Sequence, residues 1–522
     1  MSRENIILTG FMGSGKTAVG GALADRLGYQ FVDTDQLIEE RAGQTVAEIF
    51  QREGEEAFRA WEANIARELA AERAVVIATG GRLMLDPENA RLLGSSGQVF
   101  CLTAAPDEIV RRLLPESGKR PLLAVLDPQA RVEELLAERA AGYGRFPQIT
   151  TDNKCIEEVV TEIQLLMNKK ITGVIHPNGR YNVLIGSDLL PNVREIADVD
   201  GPLAVISDSN VGPLYAAQVG ADVVVTIPAG EQHKTLATVN EIYSQLLSAG
   251  LDRQGTIVAL GGGVVGDVAG FVAATFMRGI DFVQAPTSLL AMVDASVGGK
   301  TGVDLPQGKN LVGAFKQPQV VLADLLTLAT LLEVEFSAGM AEVIKAGIIA
   351  DEELFALVES KAAQLMRRSN ADLDLLATIV GESVEVKRII VEEDPYEKGR
   401  RAFLNLGHTF GHAVEQVSGY TVRHGEAVAM GLIAAAYLSA GLGHCSPEIE
   451  LRIEQVLNGV GLPTTIPPQW QAEDIYTAMA SDKKKATGRL RFVLPRDIGD
   501  VFVTDQVSEK QVLETLRHCG AT

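Results

Sequence analysis

The sequence has few of the features that mark secreted or membrane-spanning proteins. Its 522 residues include only four cysteines, which are widely spaced and form no C-x-x-C pair, so a disulfide framework is not expected. No run of apolar residues approaches the roughly 20 that span a bilayer. The first apolar strand, Ile6 to Leu8, is far too short for a signal sequence. We therefore expect a cytoplasmic protein with no membrane partner.

Basic residues are also scarce relative to acidic ones. The chain has 47 Lys and Arg against 68 Asp and Glu, a formal net charge of −21. A field of this sign repels nucleic-acid phosphates, so no nucleic-acid partner is expected and any phosphate must be held by local groups. Aromatic residues make up 5% of the sequence and hydrophobic residues 46%, which is typical of a globular protein. The length predicts two or three domains.

Short apolar runs alternate with helical patterns along most of the chain. In the first 170 residues the runs 5–8, 75–78 and 98–102 alternate with the helical patterns 18–27, 45–71 and 131–141. This alternation predicts a parallel α/β sheet. A second set of strands is predicted at 203–207, 223–227, 256–260 and 320–323, and mainly helical patterns follow beyond residue 330. We predict an α/β domain over 1–170, a Rossmann-like α/β domain over 171–325 and an α-helical domain over 326–522.

A complete phosphate-binding motif follows the first strand. Residues 10–17 read GFMGSGKT and lie between the strand and a helical pattern, which is the G-x-x-x-x-G-K-T motif in its required context. Its backbone N–H groups converge on phosphates, its lysine neutralises the β- and γ-phosphates, and its threonine hydroxyl binds Mg²⁺. We expect ATP to bind at Gly13, Ser14, Gly15, Lys16 and Thr17.

Further motifs occur in the order seen in shikimate kinases, over residues 4–168. They are FVDTD at 31–35, Phe58-Arg59, ATGG at 78–81, KRPLL at 119–123, and Arg139 with Tyr143. This segment resembles shikimate kinases, which implies ATP-dependent phosphorylation of shikimate. The resemblance implies that Asp33 holds Mg²⁺ together with Thr17. It implies catalytic roles for Lys16, Asp35 and Arg120, the last closing over the bound ATP in a lid, and it places around shikimate the residues Asp35, Arg59, Gly80, Gly81 and Arg139.

One residue of this segment departs from the family pattern. Shikimate kinases usually have a third glycine after Gly81, where this chain has Arg82. An alternative interpretation is therefore a regulatory nucleotide-binding module without kinase activity. ADP formation that depends on shikimate separates the two hypotheses.

Glycine-rich and basic motifs follow one another over the second part of the chain. The segment GGGVVGDVAG at 261–270 opens a helical pattern and suits a pyrophosphate, although it is not a G-x-G-x-x-G fingerprint. The accompanying motifs are PAGEQHK at 228–234, PTSLLAMVDASVGGKTG at 286–302, KNLVGAF at 309–315, EVIK at 342–345, NLGHTFGH at 405–412 and HGE at 424–426. Together they closely resemble 3-dehydroquinate synthases over nearly all of 172–520.

Histidines and a glutamate in these motifs suit a metal ion. His408 and His412 are four residues apart and share one face of a helix. With Glu342 and His424 they offer nitrogen and oxygen ligands appropriate to Zn²⁺. The resemblance assigns Glu342, His408 and His424 to Zn²⁺ or Co²⁺, and leaves His412 for acid–base or hydrogen-bonding work.

The resemblance also implies contacts with an anionic substrate and with NAD⁺. Catalytic roles fall on Arg278, Lys300, Lys345 and His412. The residues expected to contact the phosphorylated substrate are Asp294, Asn310, Lys387, Arg401, Asn405 and one lysine of the pair at 483–484. Of that pair we take Lys484. Contacts with NAD⁺ fall on Asp208, Asn210, Glu231, Lys234, Gly262, Gly263, Val264, Asp267, Thr287, Ser288, Lys300, Lys309 and Thr330.

The reaction implied for this part converts 3-deoxy-D-arabino-heptulosonate 7-phosphate to 3-dehydroquinate and phosphate. NAD⁺ is reduced and reoxidised within one turnover, so no NADH accumulates. A homodimer through this part is implied as well. Two alternatives stay open: a related cyclase of a sugar phosphate without a carboxylate, and an ordinary metal-dependent polyol dehydrogenase that releases NADH.

Overall fold

The computed structural model describes residues 4–113, 127–177, 179–368, 372–396, 399–483 and 490–522. Two sequence-predicted site residues, Arg120 and Lys484, lie outside these ranges. The chain divides into two compact units, Met1–Asn168 and Lys169–Thr522. In the described residues, every helix is too short or too polar to cross a bilayer.

The first unit is built on a five-stranded parallel sheet, as the alternating pattern predicts. Its spatial order is β2-β3-β1-β4-β5, and the strands are β1 (Asn5–Thr9), β2 (Gln30–Asp33), β3 (Val75–Ala78), β4 (Gly97–Thr103) and β5 (Gln148–Thr150). Eight helices connect and cover them in the described part: α1 (Lys16–Leu27), α2 (Thr34–Ala42), α3 (Val46–Arg52), α4 (Gly54–Ala71), α5 (Pro87–Gly94), α6 (Pro106–Leu113), α7 (Pro128–Tyr143) and α8 (Ile156–Leu166).

Burial explains why the central strands are short and apolar. Every residue of β1 and β3 is buried, since helices cover both faces of a parallel sheet. Because β1 lies in the middle, the loop that follows it opens at the centre of the carboxyl edge, where ligands bind in such sheets. The sheet therefore positions residues 10–17 beside the ends of β2 and β3.

The helix predicted over 45–71 is in fact two helices. Thr45 caps α3 through a capping box with Glu48, and the helix stops at Glu53. Gly54, the first residue of α4, takes a positive φ of 88°, which changes the direction of the chain between the two helices. The prediction was wrong here because one continuous apolar period runs through both helices, and only the backbone turn at Gly54 separates them.

The second unit contains a seven-stranded sheet of order β6-β7-β14-β11-β10-β8-β9. Its strands are β6 (Lys170–His176), β7 (Gly179–Gly186), β8 (Leu203–Asp208), β9 (Val223–Ile227), β10 (Thr256–Gly261), β11 (Asp281–Pro286) and β14 (Val320–Asp324). All neighbouring pairs are parallel except β6 with β7. A separate antiparallel hairpin consists of β12 (Lys300–Leu305) and β13 (Gly308–Phe315).

Helices make up most of the rest of this unit. They are α9 (Val193–Ile196), α10 (Gly212–Tyr215), α11 (Leu236–Ser248), α12 (Gly263–Thr275), α13 (Glu333–Ala350), α14 (Glu352–Leu365), α15 (Leu373–Glu393), α16 (His408–Val417), α17 (His424–Gly441), α18 (Pro447–Gly459), α19 (Ala472–Lys483) and α20 (Glu509–His518). Helices α13 and α17 are buried along almost their whole length. Helix α17 packs against both α13 and α16.

Several strands were not predicted. The sequence pattern indicated neither β6 nor β11, and the helical region beyond residue 330 also holds a hairpin of β15 (Phe492–Asp497) and β16 (Asp500–Thr504). Strand β6 begins at Lys170, four residues after the last residue of α8, Leu166. The hairpin β12–β13 is rich in glycine, which weakens the strand signal.

Candidate active sites

The phosphate loop of the first unit has the shape that its motif requires. Gly10, Gly13 and Gly15 adopt positive φ angles, and a Cβ on Gly10 would collide with the carbonyl of Leu102 on the neighbouring strand. The ammonium of Lys16 lies inside the loop and donates to the carbonyls of Gly10 and Phe11, both at 2.9 Å. The loop can thus present N–H groups and one cation to a phosphate chain.

The predicted magnesium residues meet at the end of β2. The hydroxyl of Thr17 donates to Oδ2 of Asp33 at 2.8 Å, although the two residues belong to different elements. Oδ1 of Asp33 caps α2 by accepting from the backbone of Asp35 and Gln36. A hydroxyl beside a fixed carboxylate, both next to a phosphate loop, suits Mg²⁺.

Asp35 lies against the turn that follows β3. A Cβ on Gly80 would overlap the carboxylate of Asp35, so this position has room for glycine alone. The backbone N–H of Gly80 donates to the hydroxyl of Thr34 at 2.8 Å, which ties the two segments together. The carboxylate that the resemblance makes catalytic and the glycines expected to contact shikimate are therefore neighbours.

Arg59 is held by an acid that the sequence analysis did not identify. Its guanidinium pairs with Glu62 at 2.5 Å and with Glu55 at 2.9 Å. Glu62 is 2% exposed, and burial raises its pKa despite the arginine. The signal was available in the sequence, because Arg59 and Glu62 lie three residues apart on α4 and share a face.

Arg139 is buried near the Gly80–Gly81 turn. Its guanidinium lies 5.3 Å from the centre of the Phe11 ring, and it faces the space that a Cβ on Gly81 would enter. The hydroxyl of Tyr143, one turn further along α7, donates to the carbonyl of Gly81 at 2.5 Å. Burial raises the pKa of Tyr143 to about 12. This arrangement fixes a cation and the turn side by side.

Arg82, the departure from the family pattern, points elsewhere. Its guanidinium pairs with Glu55 at 3.4 Å and its side chain is 47% exposed. Arg112 on α6 donates to the carbonyl of Gly13 and to Thr151, and so supports the phosphate loop from outside.

In the second unit, predicted NAD⁺ residues follow five adjacent parallel strands. Asp208 ends β8, Glu231 and Lys234 follow β9, and the glycine loop follows β10. Thr287 and Ser288 follow β11, and Thr330 comes after β14. Since carboxyl ends of adjacent parallel strands meet at one edge, these residues form one rim.

Contacts along this rim hold several of the predicted groups. Asp208 accepts from the backbone of Asn210 and Val211 at 2.8 and 2.9 Å. Lys309 on the hairpin approaches Glu231 at 3.6 Å. The hydroxyls of Thr330 and Tyr215 lie 2.6 Å apart. Tyr215 is a buried neighbour that sequence analysis missed, since nothing in its local pattern distinguishes it from a core tyrosine.

A cavity of about 590 Å³ opens between this rim and the helices. Its lining includes four cationic side chains, Lys300, Lys345, Lys387 and Arg401, and two carboxylates, Asp267 and Asp294. Asn310, Asn405 and His408 also line it. Lys387 donates to the carboxylate of Asp294 at 2.6 Å. A positive cavity in a chain of net charge −21 suits a small substrate with more than one negative group.

Three helices bring the predicted metal ligands together at the cavity. Glu342 lies on α13, His408 begins α16 and His424 begins α17, and their ligand atoms lie within 4.8 Å of one another. Both carboxylate oxygens of Glu342 are buried, and the groups that face them are cationic or potential metal ligands. Lys345 pairs with one oxygen, and Nε2 of His408 and His424 face the other at 3.7 and 3.5 Å.

The electrostatics of this cluster are those of a cation site. Burial alone would raise the pKa of Glu342, but Lys345 and the two imidazoles hold it well below its ordinary value. Burial lowers the pKa of His408 to about 3. It also disfavours charge on His424, yet carboxylates on both sides raise the pKa of that imidazole to about 10. An N,N,O donor set with a buried carboxylate fits Zn²⁺ or a similar ion and leaves positions open.

Some predicted residues lie apart from the cavity. Arg278 is exposed at a left-handed turn with φ 73°, and it is not among the described residues that line the cavity. His412 faces a second cavity, of about 490 Å³, which shares Asn405 and His408 with the first. The side chain of Val264 packs against the apolar core, so a contact there would involve its backbone.

Comparisons with known proteins agree with this division. Residues 12–168 match the family model of shikimate kinase, and residues 224–338 and 339–485 match the N-terminal and C-terminal models of 3-dehydroquinate synthase. The 3-dehydroquinate synthase of Pelobacter propionicus is 48% identical over 342 residues, 63% of this chain and 94% of that protein. That of Rippkaea orientalis is 50% identical over 359 residues, 66% of this chain and 96% of that protein.

Two solved structures resemble the second unit. One is 2-epi-5-epi-valiolone synthase from Streptomyces hygroscopicus subsp. jinggangensis with NAD⁺ and Zn²⁺ bound, at 28% identity and a TM-score of 0.60, covering 65% of this chain and 96% of that one. The other is 2-deoxy-scyllo-inosose synthase complexed with carbaglucose-6-phosphate, NAD⁺ and Co²⁺, at 28% identity and a TM-score of 0.62, covering 67% of this chain and all of that one.

Fold and sites together define an α/β chain with a phosphate-loop kinase unit followed by a Rossmann-like unit with a helical, metal-binding part. The chain belongs to the 3-dehydroquinate synthase family through its second unit and carries a shikimate kinase domain in front of it.

Proposed function

We propose that this chain is a bifunctional enzyme of aromatic biosynthesis. Its first unit transfers the γ-phosphoryl group of ATP to shikimate, giving shikimate 3-phosphate. Its second unit converts 3-deoxy-D-arabino-heptulosonate 7-phosphate to 3-dehydroquinate with release of phosphate, a carbon–oxygen lyase reaction. The two reactions are not consecutive, because the product of the second unit is not the substrate of the first.

The cavity of the second unit carries the proposal for the synthase. Lys387 and Arg401 are buried cations on one side, and Lys300 lies on the hairpin side. A heptulosonate phosphate has a carboxylate and a phosphate at opposite ends, which separate groups of cations can bind at once. A sugar phosphate without the carboxylate would offer only one anionic group and would use fewer of these cations.

Glu342, His408 and His424 would hold the metal, and the convergence of their ligand atoms within 4.8 Å of one another around a buried carboxylate supports this assignment. A divalent ion there supplies Lewis acidity to hydroxyl groups of the substrate. Lys345, whose ammonium lies against Glu342 and donates to the carbonyl of Leu404 at 2.9 Å, would orient those hydroxyls from the protein side.

The rim of residues after β8, β9, β10 and β11 would hold NAD⁺. The pyrophosphate would lie at the N-terminus of α12, where Gly262 and Gly263 leave the backbone N–H groups accessible. Bound NAD⁺ supplies a reversible acceptor for hydride. Because the cavity lies beside Asp267 on α12, the substrate would lie next to that site.

In the kinase unit, the phosphate loop and Asp33 would bind ATP together with Mg²⁺. The bound ion would shield the negative charge of the phosphates. Arg59 and Arg139 would pair with the carboxylate of shikimate. Asp35, next to Gly80, would accept the proton of the attacking hydroxyl. The contact of Thr17 with Asp33 is the observation that supports a complete phosphotransfer site here.

The kinase proposal is tested by ADP formation with ATP, Mg²⁺ and the full-length protein. We expect ADP to form only when shikimate is present, and Lys16→Ala to abolish it. ADP formation that is absent or independent of shikimate would contradict the kinase and favour a nucleotide-binding module.

The synthase proposal is tested by phosphate release from the heptulosonate phosphate, with the absorbance of NADH followed in parallel. We expect phosphate release without accumulation of NADH, and loss of activity after removal of the metal with a chelator. Stoichiometric NADH would indicate a polyol dehydrogenase instead. Faster turnover of a heptulose phosphate without a carboxylate would indicate a different cyclase.

We also propose that the protein is a homodimer through its second unit, as expected from the resemblance. Sedimentation equilibrium of the full chain tests this, and a single species of monomer mass would contradict it.

A further inference from the structure

A buried acid beside the metal ligands has no role so far. Glu415 lies on α16 and is 8% exposed. A carboxylate buried to this degree needs a polar partner. Oε2 of Glu415 lies 3.5 Å from Nδ1 of His424, at the outer limit of a hydrogen bond.

Each metal-facing histidine has its other ring nitrogen in contact with an oxygen. Nδ1 of His408 lies 3.1 Å from the carbonyl of Leu406, and Nδ1 of His424 lies beside Glu415. In both rings Nε2 then faces Glu342. An acceptor at Nδ1 requires the proton to be there, which leaves the lone pair of Nε2 for a metal.

We propose that Glu415 is a positioning residue for the metal site: it accepts the Nδ1 proton of His424 and so orients Nε2 toward the ion held with Glu342 and His408. This inference rests on the proposed metal site of the second unit. Helix α16 supplies both a metal ligand, His408, and the acceptor for His424, Glu415. This is possible because His408, His412 and Glu415 follow at i, i+4 and i+7 along one face of the helix.

A second metal ion would be the competing use of this carboxylate. Ligand atoms of His412, Glu415 and His424 also lie within 4.8 Å of one another. However, His424 would then have to bind ions through both ring nitrogens, which requires loss of both of its protons. Donation from Nδ1 to Glu415 needs no such loss, so the geometry favours one ion and one hydrogen bond.

The test measures metal binding by the metal-free full-length protein rather than turnover. Co²⁺ is titrated and followed by its visible absorption, with a competing chelator to set the affinity. We expect Glu415→Ala to raise the dissociation constant about 10- to 100-fold, the usual effect of losing such an outer partner. Glu415→Gln keeps an oxygen acceptor for Nδ1 and should stay within about threefold of the unmodified chain.

Glu426→Gln is the matched control. It removes the same charge two residues from His424, where the carboxylate accepts from the backbone N–H of Arg423 instead. Its Co²⁺ affinity should be unchanged, and circular dichroism of every metal-free variant should show the helix content of the unmodified chain.

Three results would overturn the inference. Equal affinity of Glu415→Ala and the unmodified chain would show that the contact does not position His424. Equal loss in Glu415→Gln and Glu415→Ala, or a second Co²⁺ per chain that disappears in Glu415→Gln, would make Glu415 a ligand. Absence of Co²⁺ binding by the unmodified chain would overturn the proposed metal site itself and with it this role.

Discussion

The ammonium of Lys234 donates a hydrogen bond to Oδ1 of Asn310 at 2.6 Å. The same ammonium pairs with the carboxylate of Asp267 at 2.7 Å. Lys234 and Asp267 belong to the rim predicted for NAD⁺, whereas Asn310 is on the hairpin that lines the substrate cavity. One buried cation therefore joins the two predicted binding sites.

Replacing this cation should affect both sites. In Lys234→Met we expect weaker binding of NAD⁺ and of the substrate, since the rim and the hairpin lose their common partner. Removing one member of a buried ion pair usually costs about 3–5 kcal/mol of unfolding free energy. We expect about 3 kcal/mol here, because Asp267 keeps part of its side chain exposed. Denaturant unfolding and NAD⁺ titration measure these changes.

The double variant Lys234→Met/Asp267→Asn is the control for charge. With no carboxylate left unpaired, it should be more stable than Lys234→Met alone. A double variant less stable than either single one would contradict an ion pair as the source of the stability.

Gly298 should be essential for the position of Arg401. It has φ 103°, and a Cβ there would lie 2.9 Å from Nη2 of Arg401. We expect Gly298→Ala to lower the stability by about 1–3 kcal/mol through backbone strain and to raise KM for the heptulosonate phosphate. Steady-state kinetics and thermal unfolding measure the two effects. Gly441→Ala, at a helical position with no atom near the added methyl group, should leave KM unchanged and should not lower the stability.

Arg82 should be tolerated in the kinase. Its guanidinium is directed to Glu55 rather than to the turn at Gly80 and Gly81. We expect Arg82→Gly to change kcat/KM for shikimate less than about threefold. In contrast, Arg139→Ala removes charged hydrogen bonds to the substrate and should cost about a hundredfold. A large gain of activity in Arg82→Gly would show that the arginine obstructs the site.

Glu62 should give the kinase unit a characteristic pH dependence. Its pKa is raised in the folded state, mainly by burial, so the folded chain holds this proton more tightly than the unfolded chain. The resulting stabilisation is complete below about pH 4.5, the unfolded pKa, and is lost as the pH rises through the raised pKa of the folded state. The stability of Glu62→Gln relative to the unmodified chain should therefore increase across that window and then level off.

Denaturant unfolding between pH 4 and pH 8 measures this difference. Trp61 lies next to Glu62 on α4, and Trp470→Phe removes the other tryptophan, so that fluorescence reports the first unit alone. At pH 7 the Gln variant should also bind shikimate more weakly, because Arg59 loses its buried ionic partner. A stability difference that stays constant with pH would contradict the assignment.

Local motifs predicted the glycine-rich loops of both units. The phosphate loop needs only a strand, eight residues and a helix, so its shape follows from contiguous sequence, and Lys16 and Thr17 lie where the motif requires. The glycine loop before α12 is equally local. Strand residues of the buried sheets were also predictable, because runs such as 203–206 and 257–260 are continuously apolar.

The partners of the functional residues could not be predicted in the same way. Glu415, Tyr215 and Asn310 act on groups that are distant in the sequence or on another element, and a pattern does not indicate which buried polar residues meet. Strand β6 was missed for a related reason: its short alternating pattern resembles a linker until β7 pairs with it.

The sequence by itself determined the phosphate-loop motifs of the first unit, the glycine-rich and histidine motifs of the second, and the order of the two units. Each of these depends only on short stretches of chain. Tertiary structure alone decided that Glu342, His408 and His424 converge, that Lys234 joins the rim to the hairpin, and that Arg82 points to Glu55. The physical reason is packing: the relative positions of α13, α16 and α17 follow from how their apolar faces fit, and no single segment contains that information.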